Sequence, residues 1–473
     1  MSSLRDRIDM PFQGSCLPKT GALKTARLEK SSKLLERRPS EVVLYGPNFE
    51  VTAGHLVAHA QRAANDIPLD AAVVNVCNDR FAFLTGLLAA IIRGQPVLLP
   101  ANRSPVTVQS LMDLYPRTCL VHDFNAMPEL DIRHEVCLSI HPDNLIESEP
   151  FPLVSDDQVC VIAFTSGSTA LPKANRKLWR TLREGTHINA GPIFGLERGE
   201  ATIVATVPPQ HMYGLETSIL APLFLPVRVS TGRPFFPSDV AAQLEAALPP
   251  RLLVTTPIHM RALRNAGISL PPVERVISAT APLSPDLAHW AEATFATEVI
   301  EVYGCTETGC LATRRCAREE PWRLFQEFRL NVEAGVGTIS GNHLEESVRL
   351  EDVLELKPDG RFQIVGRSSD LVNVAGKRGS LAELTMRLHE VPGVRDAVVF
   401  VPPSEDHSEL DRLCGLVVCD RPVQDVLGDF ALSVDPVFLP RPLIGVTSLP
   451  RSETGKLDKG ALHAMWAEVR PDK

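Results

Sequence analysis

The chain has 473 residues, of which 44% are hydrophobic and 22% charged, a balance typical of folded globular proteins that argues against disorder and against a fibrous structure. Only 5% of the residues are aromatic, so a stacking surface for single-stranded nucleic acid is not expected. The 57 acidic and 48 basic side chains give a net charge of −9, which disfavours general binding to DNA, RNA or anionic membranes.

The same composition predicts a soluble, cytoplasmic protein. The first 15 residues contain no apolar run of the signal-peptide type. The longest apolar stretch, 81–92, has 12 residues and is too short to span a membrane. None of the 10 cysteines shows the two-residue spacing of zinc sites, so we expect scattered core thiols.

Short apolar runs alternate with amphipathic stretches after a polar segment at 1–40, which is expected to be a loosely packed lead-in. The runs predict strands at 71–77, 96–99, 119–122, 159–164, 201–207, 251–255, 275–279 and 298–303. The amphipathic stretches predict helices at 81–93, 106–114, 178–187, 240–247 and 285–295. This alternation predicts an α/β fold in which helices cover parallel sheets, because uncovered parallel strands would leave apolar faces in water.

The pattern changes after residue 332. A strand at 362–365 is followed by Gly366-Arg367 and by a polar stretch at 368–370. Beyond it, the pattern predicts helices at 381–389 and 459–469 and strands at 394–401 and 412–418. We therefore predict a large N-terminal domain over 1–366 and a small, mobile α+β domain over 367–473.

A segment rich in hydroxyl groups follows the predicted strand at 159–164. Its sequence is Thr165-Ser166-Gly167-Ser168-Thr169-Ala170-Leu171-Pro172-Lys173. Small residues let backbone N–H groups form an anion-binding nest, and the hydroxyls and the lysine add donors and charge. The segment is therefore a candidate phosphate loop, with a serine-rich surface turn as the alternative. It is neither a Walker loop nor a dinucleotide-binding glycine motif.

Further motifs follow in order along the chain. They are Pro208-Pro209-Gln210-His211-Met212-Tyr213-Gly214, Ser278-Ala279-Thr280-Ala281-Pro282-Leu283, Tyr303-Gly304-Cys305-Thr306-Glu307, Gly366-Arg367 with Gly376-Lys377-Arg378, and Pro450-Arg451-Ser452-Glu453-Thr454-Gly455-Lys456. From about residue 50 to the end, this order resembles the adenylate-forming (AMP-binding) superfamily of acyl- and aryl-CoA synthetases, peptide-synthetase adenylation domains and luciferases. The segment around Trp322 is also similar to the small acyl ligases of aryl-polyene pathways.

The resemblance implies a reaction in two steps that uses ATP and Mg²⁺. A carboxylate attacks the α-phosphate of ATP to give an acyl-adenylate and pyrophosphate, and a nucleophile then takes the acyl group. The resemblance assigns Lys456 to the charge at the α-phosphate, Glu307 to Mg²⁺ and Thr306 to a phosphate. Without the resemblance, Lys456 would be interpreted as a solvated lysine and Glu307 as a carboxylate at a helix N-terminus.

The resemblance also implies a nucleotide site. Its predicted members are Thr165, Ser166, Gly167, Ser168, Thr169, Lys173, Ala279, Thr280, Ala281, Tyr303, Asp352 and Arg367. Tyr303 is expected to stack on adenine, with core packing as the alternative. Asp352 and Arg367 are expected to contact the ribose hydroxyls from opposite sides.

The sequence departs from the family pattern at three places. Ala170 stands where a glycine is usual in the phosphate loop, which reduces backbone freedom. The residues before Asp352 are Val348-Arg349-Leu350-Glu351, where the family has Tyr-Arg-Thr-Gly. At the hinge, Ser369 takes the place of the usual acidic residue and Asp370 follows it, so the pivot is expected at one of these two residues.

Three more positions are assigned from the resemblance. His211 and Gly214 are predicted at the acyl pocket, with a structural histidine as the alternative for His211. Gly376 is predicted at the tunnel for the thiol. A basic cluster at 314–318, with Arg323 nearby, is a candidate dock for the phosphate of coenzyme A or the acidic face of a carrier protein, although a solvated charge run is favoured.

The predicted function is that of an ATP-dependent ligase that joins a carboxylic acid to a phosphopantetheine thiol, either of coenzyme A or of an acyl carrier protein. The loop at 373–378 resembles that of acyl-CoA synthetases more than that of peptide synthetases. One alternative is a ligase to a hydroxyl or amine acceptor, and another is a non-catalytic nucleotide-binding partner or sensor of the same fold. The identity of the acid stays open, and no nucleic-acid partner is expected.

Overall fold

The computed structural model describes residues 30–123, 132, 134–138, 150–165, 173–196, 199–367, 370–374, 377–402, 413–452 and 455–470. Its strands, in chain order, are β1 (Ser31–Lys33), β2 (Val42–Gly46), β3 (Phe49–Thr52), β4 (Ala72–Asn75), β5 (Val97–Leu99), β6 (Thr118–His122), β7 (Glu135–Cys137), β8 (Leu153–Ser155), β9 (Val159–Thr165), β10 (Lys173–Leu178), β11 (Ala201–Ala205), β12 (Val227–Ser230), β13 (Arg251–Thr255), β14 (Arg275–Ser278), β15 (Glu298–Cys305), β16 (Gly309–Arg314), β17 (Arg323–Leu324), β18 (Phe328–Glu333), β19 (Val336–Gly341), β20 (Val348–Leu356), β21 (Phe362–Arg367), β22 (Leu371–Val374), β23 (Lys377–Ser380), β24 (Val394–Phe400), β25 (Cys414–Cys419) and β26 (Leu443–Gly445).

The α-helices are α1 (Ala53–Asp66), α2 (Arg80–Ile92), α3 (Pro105–Leu114), α4 (Trp179–Asn189), α5 (Met212–Gly214), α6 (Ala221–Phe224), α7 (Pro237–Ala246), α8 (Pro257–Ala266), α9 (Pro285–Phe295), α10 (Leu381–Glu390), α11 (Val423–Ala431) and α12 (Lys459–Val469). Two π-helical segments, Ala190–Phe194 and Leu215–Leu220, and a 3₁₀ turn, Pro436–Phe438, complete the helical structure of the described residues. Every strand and helix predicted from the sequence overlaps an observed one.

Two large sheets form the centre of residues 30–367. The first has the strand order β10-β9-β5-β4-β6-β7, and all its neighbours are parallel except β10, which runs antiparallel to β9. The second has the order β17-β16-β15-β14-β13-β11-β12-β2-β3, with parallel central strands and antiparallel strands at both edges. These sheets, with helices between their strands along the chain, confirm the predicted α/β class.

Burial explains why the central elements are so apolar. Every residue of β11 is buried, as expected for a parallel strand covered on both faces. Helix α2 is buried from Arg80 to Ile91, so the apolar stretch at 81–92 is a core helix. In the described part of the chain, no helix is both long and apolar enough to cross a membrane.

Two features differ from the sequence expectation. The described part of the expected loose lead-in, residues 30–40, is packed instead, because Leu34 and Leu35 are fully buried and β1 pairs with β8. Strands β18 to β21 form a four-stranded antiparallel sheet, of which only the last strand was expected. Burial alternates along β18, so its sequence contains no continuous apolar run by which a strand could be recognised.

Residues after 370 form a separate packed unit around strands β24, β25 and β26, with α10, α11 and α12 beside them. Among the described residues, the hydrophobic clusters of this unit contain none before Val372. The clusters of the two large sheets contain no buried residue after Phe362 in the described part of the chain. The chain therefore buries its apolar side chains in two sets that meet near the predicted boundary at 367–370.

Arg80 joins the two large sheets. It begins α2, which packs on the first sheet, and its side chain is fully buried. Its guanidinium donates hydrogen bonds to the carbonyl oxygens of Ala205 and Val207 at 2.8 Å and of Gly232 at 2.6 Å, at the end of β11 and beyond β12. Burial lowers the pKa of Arg80 to about 10, and the carbonyl dipoles offset part of the cost of desolvation.

We predict that Arg80→Met lowers the free energy of unfolding by about 3 kcal/mol or more, because several buried carbonyl groups lose their donor. The shift of the urea midpoint, followed by tryptophan fluorescence, measures this effect. Arg38→Met is the control, since Arg38 makes only an exposed ion pair with Glu41, and it should cost about 1 kcal/mol or less. Equal midpoints for the two variants would contradict the role of Arg80.

Candidate active site

Tyr303, Asp352 and Arg367 are brought together from three strands. Asp352 on β20 lies directly opposite Arg367 on β21 in the antiparallel register. Its carboxylate accepts a hydrogen bond from the Tyr303 hydroxyl at 2.5 Å and another from Nε of Arg367 at 3.2 Å. The carboxylate is thus held from two sides, next to an arginine that stays half exposed.

The electrostatics follow from this contact. Burial, and then the negative charge of Asp352, raise the pKa of the Tyr303 phenol, so it acts as a neutral donor. Burial alone would lower the pKa of Arg367, but the carboxylate of Asp352, together with the charges of Asp370 and Glu351, raises this pKa. The centroid of the Tyr303 ring also lies 5.5 Å from that of Trp322 and 5.9 Å from that of Phe362. These ring contacts are the ones expected if Tyr303 packs in the core, the alternative to stacking on adenine.

Glu307 lies in the turn between β15 and β16, next to Thr306. Its Oε1 accepts a hydrogen bond from Nζ of Lys173 at 2.8 Å, with side chains 26% and 63% exposed. Burial alone would raise the pKa of Glu307, but Lys173, together with hydrogen bonds from the Glu307 backbone and Cys305, lowers this pKa, so the group is a carboxylate. The structure thus joins the end of the candidate phosphate loop to the candidate metal ligand.

The predicted loop residues Ser166, Gly167, Ser168 and Thr169 lie outside the described residues, as does Ala170. Thr165 is the last residue of β9 and Lys173 the first of β10, and these two strands pair antiparallel. Thr165 and Lys173 therefore lie directly opposite each other, and Lys173 contacts Glu307.

The segment with Ala279, Thr280 and Ala281 follows β14. Thr280 adopts a φ of +82°, an uncommon value for a residue other than glycine, and such strain is often found at functional sites. The backbone N–H of Leu283 donates to Oε1 of the buried Glu301 at 2.9 Å and fixes the end of the segment. Glu301 was not expected from the sequence, which gives no signal for a buried carboxylate within an apolar strand.

His211 and Gly214 stand at the start of a tightly packed helical segment. His211 is half-buried and precedes α5, which continues into the π-helical segment Leu215–Leu220. A Cβ atom at Gly214 would lie 2.0 Å from the carbonyl oxygen of Pro208, so only glycine allows this close approach. Gly376 and Ser369 lie outside the described residues.

Lys456 lies in a turn that packs on the large domain. Gly455, with a φ of +80°, is so close to α8 that a Cβ atom would lie 2.6 Å from Cγ2 of Ile258. The Lys456 carbonyl accepts a hydrogen bond from the N–H of Ser452 at 2.7 Å. The surrounding protein displaces water from the partly exposed ammonium and lowers the pKa of Lys456, and the positive charge of Arg367 adds to this shift.

Comparisons with known proteins agree with this arrangement. Residues 80–341, more than half of the chain, match the family model described as "AMP-binding enzyme". The chain belongs to this family. The earlier recognition of the adenylate-forming superfamily is thereby confirmed.

Among curated relatives of this AMP-binding enzyme, the 4-coumarate–CoA ligase of Rhodobacter capsulatus is 28% identical over 54% of the chain and 62% of its own length. A 3,4-dihydroxybenzoate–[aryl-carrier protein] ligase of Bacillus anthracis is 21% identical over 65% of the chain and 74% of its own length. The crystal structure of an anthranilate CoA ligase with anthranoyl-AMP superposes with a TM-score of 0.77 at 16% identity, covering 91% of this chain and 95% of that one. At this identity the last match supports the fold alone. The match to the coumarate ligase spans less than two thirds of that relative.

The basic cluster at 314–318 is largely used inside the enzyme, so the expected solvated charge run is wrong for its first two members. Arg314 pairs with Glu301 at 2.6 Å and lies 4.4 Å from the centre of the Trp322 ring. Arg315 pairs with Glu292 at 2.7 Å and also with Glu298. These ion pairs occupy both guanidinium groups, which therefore do not form a free dock for phosphate.

A second contact that was not expected holds the Lys456 turn. Arg451 donates to both carboxylate oxygens of Asp396, at 2.6 and 2.7 Å, and to the carbonyl oxygen of Gly455 at 2.7 Å. A bidentate pair of this kind, with both side chains largely buried, fixes geometry as well as charge. Asp396 lies on β24, far from Arg451 in sequence, so the sequence pattern could not reveal the pair.

We predict that Arg451→Met speeds amide hydrogen exchange of residues 455–458 by about tenfold or more, because loss of one charge-assisted bond is enough for such a change. Mass spectrometry of the corresponding peptide measures the rate. Arg395→Met is the matched control, since Arg395 lies on β24 next to Asp396 and makes an exposed ion pair with Asp420. Unchanged exchange at 455–458 would show that Arg451 does not hold the turn.

Proposed function

We propose that this enzyme activates a carboxylic acid with ATP, forming an acyl-adenylate, and then transfers the acyl group to a phosphopantetheine thiol. The observation that carries the proposal is the position of the Lys456 turn. The positive charge of Arg367 contributes to the lowered pKa of Lys456, and Arg367 is bonded to Asp352, which also accepts from Tyr303. These contacts support a site at which Lys456 would meet the α-phosphate and Asp352 the ribose hydroxyls, because adenylation needs positive charge at the reacting phosphate.

ATP and Mg²⁺ fit the residues that are present. The Glu307 carboxylate offers the hard oxygen ligand that Mg²⁺ prefers, and Lys173 offers a partly exposed ammonium group for phosphate. The described residues contain no group of three or more His, Cys, Asp or Glu side chains that could hold a metal ion. Mg²⁺ is therefore expected to be shared between Glu307 and the phosphates, and it would neutralise their charge when bound.

The division into domains is part of the same proposal. A large domain over 1–366 would bind the nucleotide, and a small one over 367–473 would carry Lys456. The described hydrophobic clusters separate near this boundary, and Asp370 lies beside it with its N–H bonded to the carbonyl of Arg367 at 3.0 Å. Between the two half-reactions, the small domain would rotate about Ser369 or Asp370. This rotation would move Lys456 away from the nucleotide and bring another surface of the small domain to it.

The acyl acceptor is either coenzyme A or a carrier protein. The names of the curated relatives support both, since one is a CoA ligase and another acts on an aryl-carrier protein. The acid pocket is expected near His211 and Gly214, and the thiol is expected to pass Gly376. A soluble enzyme in the cytoplasm would fit these partners.

Acid-dependent exchange between ATP and labelled pyrophosphate tests this function. The purified protein with MgCl₂ is assayed against aromatic, medium-chain and 3-hydroxy acids, and at least one of them should support exchange. Thioester formation with coenzyme A, or with a phosphopantetheinylated carrier, then identifies the acceptor. Binding of ATP without exchange for any acid would instead favour a non-catalytic nucleotide-binding protein.

We predict that Lys456→Ala lowers the exchange rate by about 10²–10³-fold, because it removes a preorganised charge at the α-phosphate. ATP affinity and the fold should be nearly unchanged, since Lys456 lies in a partly exposed turn. Thioester formation from preformed acyl-adenylate should be retained if the small domain turns Lys456 away in that step. Lys357→Ala, in a hairpin turn paired with Glu355, is the control. If Lys456→Ala exchanges pyrophosphate at the wild-type rate, Lys456 does not act at the α-phosphate and is only a solvated lysine.

A further inference from the structure

Two buried charged side chains hold the turn that carries Thr306 and Glu307. Nζ of Lys177, on β10, donates to the backbone carbonyl of Glu307 at 2.6 Å. A carboxylate oxygen of Glu216, in the π-helical segment, accepts a hydrogen bond from the N–H of Cys310 at 3.0 Å. One charge thus holds the turn at Glu307 and the other holds the strand that leaves it.

Lys177 is placed where a lysine is costly. Its side chain is only 4% exposed, and burial lowers its pKa while the charge of Glu216 acts in the opposite direction. It belongs to the first sheet, whereas its acceptor, the carbonyl of Glu307, belongs to a turn of the second sheet. A charged lysine held between two sheets needs its hydrogen bonds, because an unpaired buried ammonium is strongly unfavourable.

Glu216 fits the turn closely. It is 7% exposed, and a Cβ atom at Gly309 would lie 2.1 Å from its Oε1. Gly309 also has a φ of +74°, so both space and backbone conformation require a glycine opposite this carboxylate. Burial raises the pKa of Glu216 and the charge of Lys177 opposes that shift, so the two groups interact electrostatically.

These contacts differ in kind from the pair between Lys173 and Glu307. That pair joins two side chains, and Lys173 is 63% exposed, so a phosphate or a cation can replace it. Lys177 instead binds the main chain of Glu307 and is shielded from water. The Glu307 side chain is therefore free to change partner while its backbone stays fixed.

We propose that Lys177 and Glu216 are positioning residues that hold the backbone of the 305–310 turn, so that Glu307 can release Lys173 and bind Mg²⁺ without movement of its main chain. The proposal deepens the function proposed above and rests on it. It predicts an effect on metal binding by two residues that do not touch the metal. Neither belongs to the motifs from which the site was predicted.

The test is the Mg²⁺ dependence of ATP binding in Lys177→Met, measured by isothermal titration calorimetry with the intact protein. If Lys177 positions Glu307, the Mg²⁺ concentration for half-maximal ATP binding rises by about tenfold or more, as loss of a hydrogen bond to a charged group allows. If Lys177 acts only through its charge, removing a cation near the metal tightens Mg²⁺ binding instead. A tighter or unchanged Mg²⁺ dependence would overturn the proposal.

Two further variants separate positioning from stability. Glu307→Gln gives the Mg²⁺ dependence expected when the metal ligand itself is lost, and Lys357→Met removes a paired lysine outside the site as the control. Lys177→Met removes the positive charge that opposes the effect of burial on Glu216, so it is expected to lower Tm. The double variant with Glu216→Gln keeps an acceptor for the Cys310 N–H and removes the buried negative charge.

The double variant should therefore regain most of the Tm while keeping the weakened Mg²⁺ dependence. Joint recovery of Tm and Mg²⁺ dependence would assign the two residues to stability alone and would overturn the proposal. Exchange assays on the wild-type protein distinguish this result from failure of the proposed function. If wild-type protein binds Mg²⁺ and ATP but activates no acid, the ligase function fails, while the calorimetry still decides the role of Lys177.

Discussion

The fixed backbone of the turn between β15 and β16 is the constraint on which the candidate site depends. This turn holds Thr306 and Glu307, and it receives one buried cation, Lys177, from the first sheet and one buried carboxylate, Glu216, from the π-helical segment. Buried charges are costly unless they are paired, so these contacts tolerate little displacement. The proposed metal ligand, Glu307, therefore has its main chain bonded to a buried cation and its side chain paired with an exposed one.

The other groups of the candidate site are held in a similar way. Asp352 is fixed by Tyr303 and Arg367, while the Lys456 turn is fixed by Arg451 and rests on α8. In the first arrangement, the ion pair between Asp352 and Arg367 leaves the Arg367 side chain half exposed. In the second, the largely buried ion pair between Arg451 and Asp396 lies beside the turn that carries the exposed Lys456. For the proposed adenylation, most of the catalytic effect is expected to be electrostatic, so fixed supports behind the charged groups fit the proposal.

The two large sheets are joined by hydrogen bonds from charged basic side chains to neutral backbone carbonyl oxygens. Arg80 uses carbonyl oxygens at the end of β11 as its acceptors, and Lys177 uses the carbonyl of Glu307. In each case a long basic side chain crosses from one sheet to backbone groups of the other.

The sequence by itself determined the α/β class, the family and the order of the motifs, because apolar runs and local turns are encoded by neighbouring residues. The family resemblance also assigned Tyr303, Asp352 and Arg367 to a nucleotide site, and the structure shows these three in contact. Only the tertiary structure showed that Lys177, Glu216 and the pair of Arg451 with Asp396 support the site. Their partners lie tens of residues away or more, and each looks like an ordinary surface charge in the sequence. Long-range pairing of buried charges depends on how the sheets pack, and no local pattern encodes it.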